Sequence, residues 1–377
     1  MPRRRLVHLA MVGGLLAIEG VAQRPVITVG GISPDFPDLP AAVAAAAPGS
    51  VIEVRPGTYT GFVTGKPLRI ELQGATVQAP PGAAYAIAID TMLAADGLVV
   101  TGPGQVTSGT LGAVRVAHCS GPVVLEALTM TAGSFQPALD VLDAANVHLS
   151  RSILSGMPGL QAELCAMVCA ENVIGGPQGA AAVVDQALFE SSRSIYLGVA
   201  GPGLRVFSSS VRLSSDGTGA LSVAWAPVGV PISVLEAFDS DVRWLPASFS
   251  LTPANGAPPL TAVNSTEVLE EVPMLNAGPA PLGGTATARL TMSTPTVALM
   301  AVSYLLPQPL VIGDTGLYAD PVPAVLVAAG LADLTGLTFA FAMPANPALR
   351  GTVLCFQGVV FAANGPQLSG AALWAAR

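Results

Sequence analysis

Apolar side chains return in pairs two residues apart along much of this chain. Ile52 and Val54 form such a pair, as do Ile70 and Leu72, Leu98 and Val100, Val123 and Leu125, Val147 and Leu149, Met167 and Cys169, Ala187 and Phe189, Leu204 and Val206, and Ile232 and Val234. Apolar residues at period two mark a strand with one face buried. The pairs recur at intervals of roughly twenty-odd residues, the length of one coil in a stacked β-solenoid. The pattern predicts about nine coils, with Val54, Leu72, Val100, Leu125, Leu149, Cys169, Phe189, Val206 and Val234 in one inward column and Arg151 exposed. Three residues past that column, Ser152, Asn172, Ser192 and Ser209 are expected to stack as a polar turn ladder. Such side chains bond to one another and to the backbone between coils. Ser194 and Ile195 suggest a one-residue slip, and the register blurs near Leu235, where the coils are expected to end.

Ahead of the coils, residues 38–49 read as a short helix. Asp38 is placed to accept from first-turn amides, Pro40 suits an early helical position, and Pro48-Gly49 stops the helix. An alternating strand, 50–59, follows and turns at Pro56-Gly57. This Ala-rich helix followed by GSVIEVRPGTYTG resembles the opening of pectin-lyase-like β-helix proteins. The resemblance implies a right-handed parallel β-helix whose open end is capped by the short helix. It leaves function open, since that superfamily includes lyases, hydrolases, esterases and adhesins.

The texture changes from Gly278. Residues 278–284, rich in Gly and Pro, read as a linker, and short apolar strands follow over 286–291, 296–304, 324–328, 337–342 and 352–362. The expected organisation is a β-helix over 23–277, the linker, and a small antiparallel β-sandwich over 285–377, an all-β fold throughout. Pro344, Pro347, Leu349 and Gly351, spaced Pro-x-x-Pro-x-Leu-x-Gly before the Phe356-Gln357 strand, resemble a C-terminal sandwich module of large secreted proteins from planctomycete-like bacteria.

The first 22 residues read as a bacterial signal peptide. Arg3, Arg4 and Arg5 precede an apolar stretch at 6–18, and Gly20-Val21-Ala22 places cleavage before Gln23. A secreted, extracellular or cell-surface location is therefore expected, with no membrane span in the mature chain. The net charge of -8 and the single lysine, Lys66, argue against nucleic acid as a partner. A polysaccharide or a cell-surface glycan is the expected partner; oligomeric state is left open.

Candidate chemistry is sparse. Only His118 and His148 lie outside the signal segment, and the chain holds no Asp-Asp pair, no His-Gly and no Arg-x-Lys of the kind polygalacturonase-like enzymes use. In Asp239-Ser240-Asp241-Val242-Arg243-Trp244 a strand would bring Asp239, Asp241 and Arg243 to one face, where they are the catalytic candidates. Glu190, Arg193, Tyr196 and Trp244 are the ligand-binding candidates, with Arg205 and Arg212 one coil further on. Trp225, Trp244 and Trp374 read as partly buried aromatics in preference to sugar-stacking platforms. Cys165 and Cys169 are placed either to close a disulfide or to serve as small buried apolar groups. No metal set and no cofactor is expected, except Ca2+ if the chain is an enzyme. Two functions follow as expectations. One is a non-catalytic structural or glycan-binding surface protein. The other is a polysaccharide lyase or glycoside hydrolase with a site on the helix wall.

Overall fold

A computed structural model describes residues 24–94, 97–109, 111–133, 135–278, 281–350 and 352–376. The expected signal segment 1–22 lies outside the described residues. The protein is all-β, 60% strand and 3% helix, and contains a parallel β-solenoid of about ten turns, against about nine expected. Two compact units are present, one over Pro25–Glu270 and one holding Glu271–Arg377.

The solenoid has three parallel walls. The first runs from Val26–Val29 and Val51–Val54 to Asp241–Trp244 and Thr266–Leu269. The second runs from Thr58–Thr60 to Ser250–Thr252, and the third from Phe62–Thr64 to Leu260–Val263. Each wall alternates inward apolar with outward residues, and the inward side chains stack coil upon coil. On the first wall Ile52, Ile70, Val100, Leu125, Leu149, Cys169, Ser191 and Leu213 stand in register. On the second, Tyr59, Val77, Val106, Met130, Leu154, Ile174, Tyr196, Leu221 and Leu251 do the same.

The expected column is correct at Val100, Leu125, Leu149 and Cys169. Val54 and Leu72 pair with each other two residues further along the first wall. Phe189 pairs with Met167, two residues earlier. Val206 belongs to the third wall, between Val184 and Ala237. The three walls carry the same apolar alternation, so a strand of one wall mimics another. The polar Ser191 in the inward column hides the true register at that coil. Regular pairing also continues past Leu235, through Leu260–Val263 and Thr266–Leu269.

The walls are joined at corners built on left-handed residues. Thr91, His118, Asp143, Leu164, Gln186, Ser208, Asp239 and Asn264 turn the third wall into the first, all with φ between 45° and 57°. Ala127, Arg151, Glu171 and Arg193 turn the first into the second. Non-glycine residues rarely adopt this conformation; polar ladders adjoin the corners at Arg151, Glu171 and Arg193 and those at Ser208, Asp239 and Asn264. The expected single ladder is in fact two. Ser152, Asn172 and Ser194 form one, with Ser152 N donating to Asn172 Oδ1 (2.9 Å) and Asn172 N to Ser194 Oγ (3.3 Å). Ser209, Ser240 and Ser265 form the other, each backbone N–H of the first two donating to the next hydroxyl at 3.1 Å. Ser192 belongs to neither: it pairs with Ala170 and Ser214 on the first wall.

The first coils are covered by the helix Leu39–Ala45. Asp38 caps its start, accepting from Leu39 N (2.9 Å) and Thr60 N (2.8 Å). Leu39, Ala42 and Val43 are buried. Lys66 Nζ donates to the carbonyls of Val43, Ala44 and Ala46 at the other end, which suits the negative end of the helix.

The second unit is built of antiparallel sheets. Met274–Ala277, Thr285–Thr291 and Leu337–Ala342 form one. Val325–Ala332, Thr296–Ser303, Val353–Ala362, Gly365–Leu368 and Ala372–Ala375 form another. Leu275, Ala288, Leu290 and Phe341 share a core with Met300, Val302, Phe356 and Trp374. Segment 278–284 lies between two strands that pair with each other. Trp374 is fully buried, with Phe341 edge-on to it at 5.9 Å.

Candidate functional site on the outer wall of the β-helix

Outward charges of the solenoid are arranged by coil. At the corner between the first and second walls, Arg151 pairs with Glu126 and faces Glu171 at 3.9 Å. Arg193 pairs with Glu171 (2.9 Å) and Asp216 (3.4 Å). The signs alternate from Glu126 to Asp216, so each cation is held between acids of neighbouring coils. Arg151 is therefore not the exposed residue expected: its side chain is 21% exposed and it meets a Glu126 that is 3% exposed.

The third wall presents a second group. Tyr85, Arg115 and Asp140 come from three successive coils. The Tyr85 hydroxyl donates to Asp140 Oδ2 at 2.6 Å, and the Arg115 guanidinium lies 5.6 Å from the Tyr85 ring centre. The ring lies against Gly112, where a Cβ would come within 2.3 Å of Tyr85 Cε1. Burial, reinforced by the Asp140 carboxylate, raises the Tyr85 phenol well above its usual range, so it stays a donor. Nearby, His118 Nδ1 lies 3.0 Å from Asp90 Oδ1 in an exposed pair. The hydrogen bond with His118 lowers the Asp90 carboxyl below its usual range. Further along, Arg205 pairs with Glu236 (2.8 Å), and Phe207 stacks on Phe238 at 5.2 Å.

A cavity of about 370 Å3 opens beside Tyr85, lined also by Val43, Phe62, Val63, Lys66 and Ala83. The Lys66 ammonium is engaged by the helix carbonyls.

The expected site residues are dispersed. Glu190 and Arg212 form a buried ion pair at 3.5 Å, 4% and 2% exposed. Arg193 belongs to the corner ladder. Tyr196 is inside the second wall, its hydroxyl 2.7 Å from Ser191 Oγ. Burial raises that phenol far above its usual range. Trp244 is fully buried and its indole N–H donates to Glu267 Oε1 (2.9 Å), which removes it as a sugar platform. Trp225 is 60% exposed, in contrast to the partly buried tryptophan expected. Asp239 occupies a left-handed corner and Asp241 opens the next strand, both exposed, while Arg243 pairs with Glu270 at 3.3 Å. The Cys165–Cys169 bridge that the spacing allows is not formed; all four cysteines are free and buried. Cys165 lines the corner column with Ala144, whereas Cys169 stacks on the first wall with Leu149. Burial pushes the Cys165 thiol up to about 12 and that of Cys169 further, so neither supplies a thiolate nucleophile.

Among the described residues no group of three or more His, Cys, Asp or Glu side chains is arranged to hold a metal ion, and no helix is long and apolar enough to cross a membrane. No protein-family model matches the chain, and no curated protein matches it in sequence.

The Tyr85 group escapes a reading of local motifs because its three members are distant in sequence. The corner ladder was open to detection: Arg151, Glu171 and Arg193 alternate in sign at coil-length intervals.

Proposed function

We propose that the protein is a secreted, cell-surface β-helix protein of the pectin-lyase-like kind that acts without catalysis, as a rigid scaffold whose outer wall binds glycan. The carrying observation is the use of outward charge. Arg151, Arg193, Arg205 and Arg243 each pair with an acid of a neighbouring coil. Charges spent on holding coils together suit a durable rod better than a site that must change protonation during turnover. The likeness of GSVIEVRPGTYTG to pectin-lyase-like openings supports the same reading, as does an N-terminus patterned for export. The C-terminal unit then serves as an accessory module.

A carbohydrate-active enzyme is the second reading, favoured by the exposed Asp90–His118 pair. A carboxylate on one ring nitrogen of a histidine leaves the other free for proton transfer.

The deciding experiment is a glycan array together with a reducing-sugar assay on protein beginning at Gln23. Binding without release of reducing ends supports the scaffold. Release that disappears in His118→Ala supports the enzyme. Neither binding nor release overturns both.

A further inference from the structure

We infer that the cavity beside the capping helix is a binding subsite for one neutral sugar unit, with Tyr85 as its stacking wall. This rests on the glycan-binding reading and names where that binding occurs.

Four observations carry it. The volume, about 370 Å3, falls within the roughly 300–1,000 Å3 of small-ligand pockets. The ring of Tyr85 is held rather than mobile: it rests on Gly112, and its hydroxyl is fixed to Asp140 at 2.6 Å. A fixed aromatic ring offers apolar contact at little cost in side-chain entropy. The remaining lining is mostly small or apolar and includes Val43, Phe62, Val63 and Ala83. The one lysine of the lining already serves three helix carbonyls, and Arg115, beside the Tyr85 ring, faces Asp140 at 3.9 Å, so both nearby cations have partners.

The occupant fits that chemistry. A pyranose carries C–H groups on one face, to lie on the ring and the apolar floor. Its hydroxyls suit backbone groups on the outer edge of Phe62–Thr64, the first strand of its wall. A uronic acid would bring a carboxylate to a site whose two nearby cations, Lys66 and Arg115, already have partners.

The test uses an array of neutral hexose and N-acetylhexosamine oligosaccharides beside uronic-acid oligosaccharides, followed by titration calorimetry on the best ligand. The variants are Tyr85→Ala, Tyr85→Phe and Ala83→Trp, each checked by its thermal melt against the unmodified protein. Neutral sugars are expected to bind. Tyr85→Ala should weaken binding by about tenfold or more, the scale of a lost aromatic contact. Tyr85→Phe keeps the ring and should retain most affinity. Ala83→Trp fills the cavity while leaving Tyr85 in place and should abolish binding. If the folded protein binds glycan and both Tyr85→Ala and Ala83→Trp bind as well as the original, this subsite is wrong while the glycan reading stands. Binding of uronic-acid chains alone also overturns it. No glycan binding at all overturns both.

Discussion

Arg193 reaches back one coil to Glu171, its Nη1 2.9 Å from Oε1, while its Nε faces Asp216 at 3.4 Å. Both Arg193 and Glu171 sit at left-handed corner positions, φ 50° and 57°, so the same bend that turns the wall presents them to each other. The pair is about a third exposed on each side, and solvent weakens it accordingly. Arg193→Ala should cost about 0.5 kcal/mol. Arg151→Ala should cost more, about 2 kcal/mol, because it removes a cation from a carboxylate that is almost fully buried. Urea unfolding of both variants checks this, and equal small losses would show that Glu126 tolerates the change.

The ladder of Ser152, Asn172 and Ser194 predicts a larger effect. Asn172 accepts from Ser152 N through Oδ1 and donates from Nδ2 to Leu149 O at 3.0 Å, and it is 1% exposed. Asn172→Ala strands a buried amide and a buried carbonyl together, at an expected cost of about 2–4 kcal/mol. Asn172→Asp restores the acceptor but not the donor and buries a charge, so it should recover little. A fall of less than 1 kcal/mol in either, measured by denaturant midpoint, would contradict the ladder's role.

His148 ties stability to pH. On the outward side of the first wall it pairs with Val124 on one coil and Val168 on the other, and it is 3% exposed. Burial lowers its pKa from 6.5 to about 3, so the folded protein keeps it neutral while the unfolded chain protonates it near 6.5. The unfolded state therefore binds the extra proton, and stability falls as pH drops from about 6.5 towards 3. His148→Val continues the valine row and removes the proton site. Between pH 7 and 4.5 the original should lose on the order of 2 kcal/mol more than the variant. Parallel loss in both would place the acid sensitivity elsewhere.

These residues also show how far the sequence carries. The coils were legible because Val100, Leu125, Leu149 and Cys169 recur at coil-length intervals in sequence and stand in register in space. Val206 misled because apolar alternation is identical on all three walls, so period two says that a residue faces inward but not which wall bears it. Site chemistry was less legible for a related reason. Tyr85, Arg115 and Asp140 meet through stacking across coils, whereas Glu190, Arg193 and Tyr196 are close in sequence but point outward, along the corner and inward. In a solenoid, adjacency follows coil register rather than local spacing.

Gln357 provides the sharpest test in the C-terminal unit. It stands on Val353–Ala362 and is 5% exposed. Its Oε1 accepts from Tyr318 N (2.9 Å) and Ala319 N (3.3 Å), and its Nε2 donates to Gly316 O (2.7 Å) and Ser369 O (3.0 Å). One side chain thus satisfies backbone groups of the strand Thr315–Ala319, which pairs as a hairpin with Leu305–Ile312, and of the segment after Gly365–Leu368. Gln357→Leu keeps much of the volume but leaves two amides and two carbonyls without their partner. The expected loss is about 2–4 kcal/mol. Because the strand Thr315–Ala319 is held by this side chain, its amides should lose protection before those of Thr296–Ser303. Hydrogen exchange in Gln357→Leu should accelerate at Tyr318 and Ala319 while Met300 and Val302 remain protected. Gln357→Glu replaces the donor with a second acceptor and should fail at Gly316 and Ser369 while serving Tyr318 and Ala319, which separates the two halves of the cross-link. Unchanged exchange at Tyr318 in Gln357→Leu would mean that packing, rather than this amide, holds the hairpin in place.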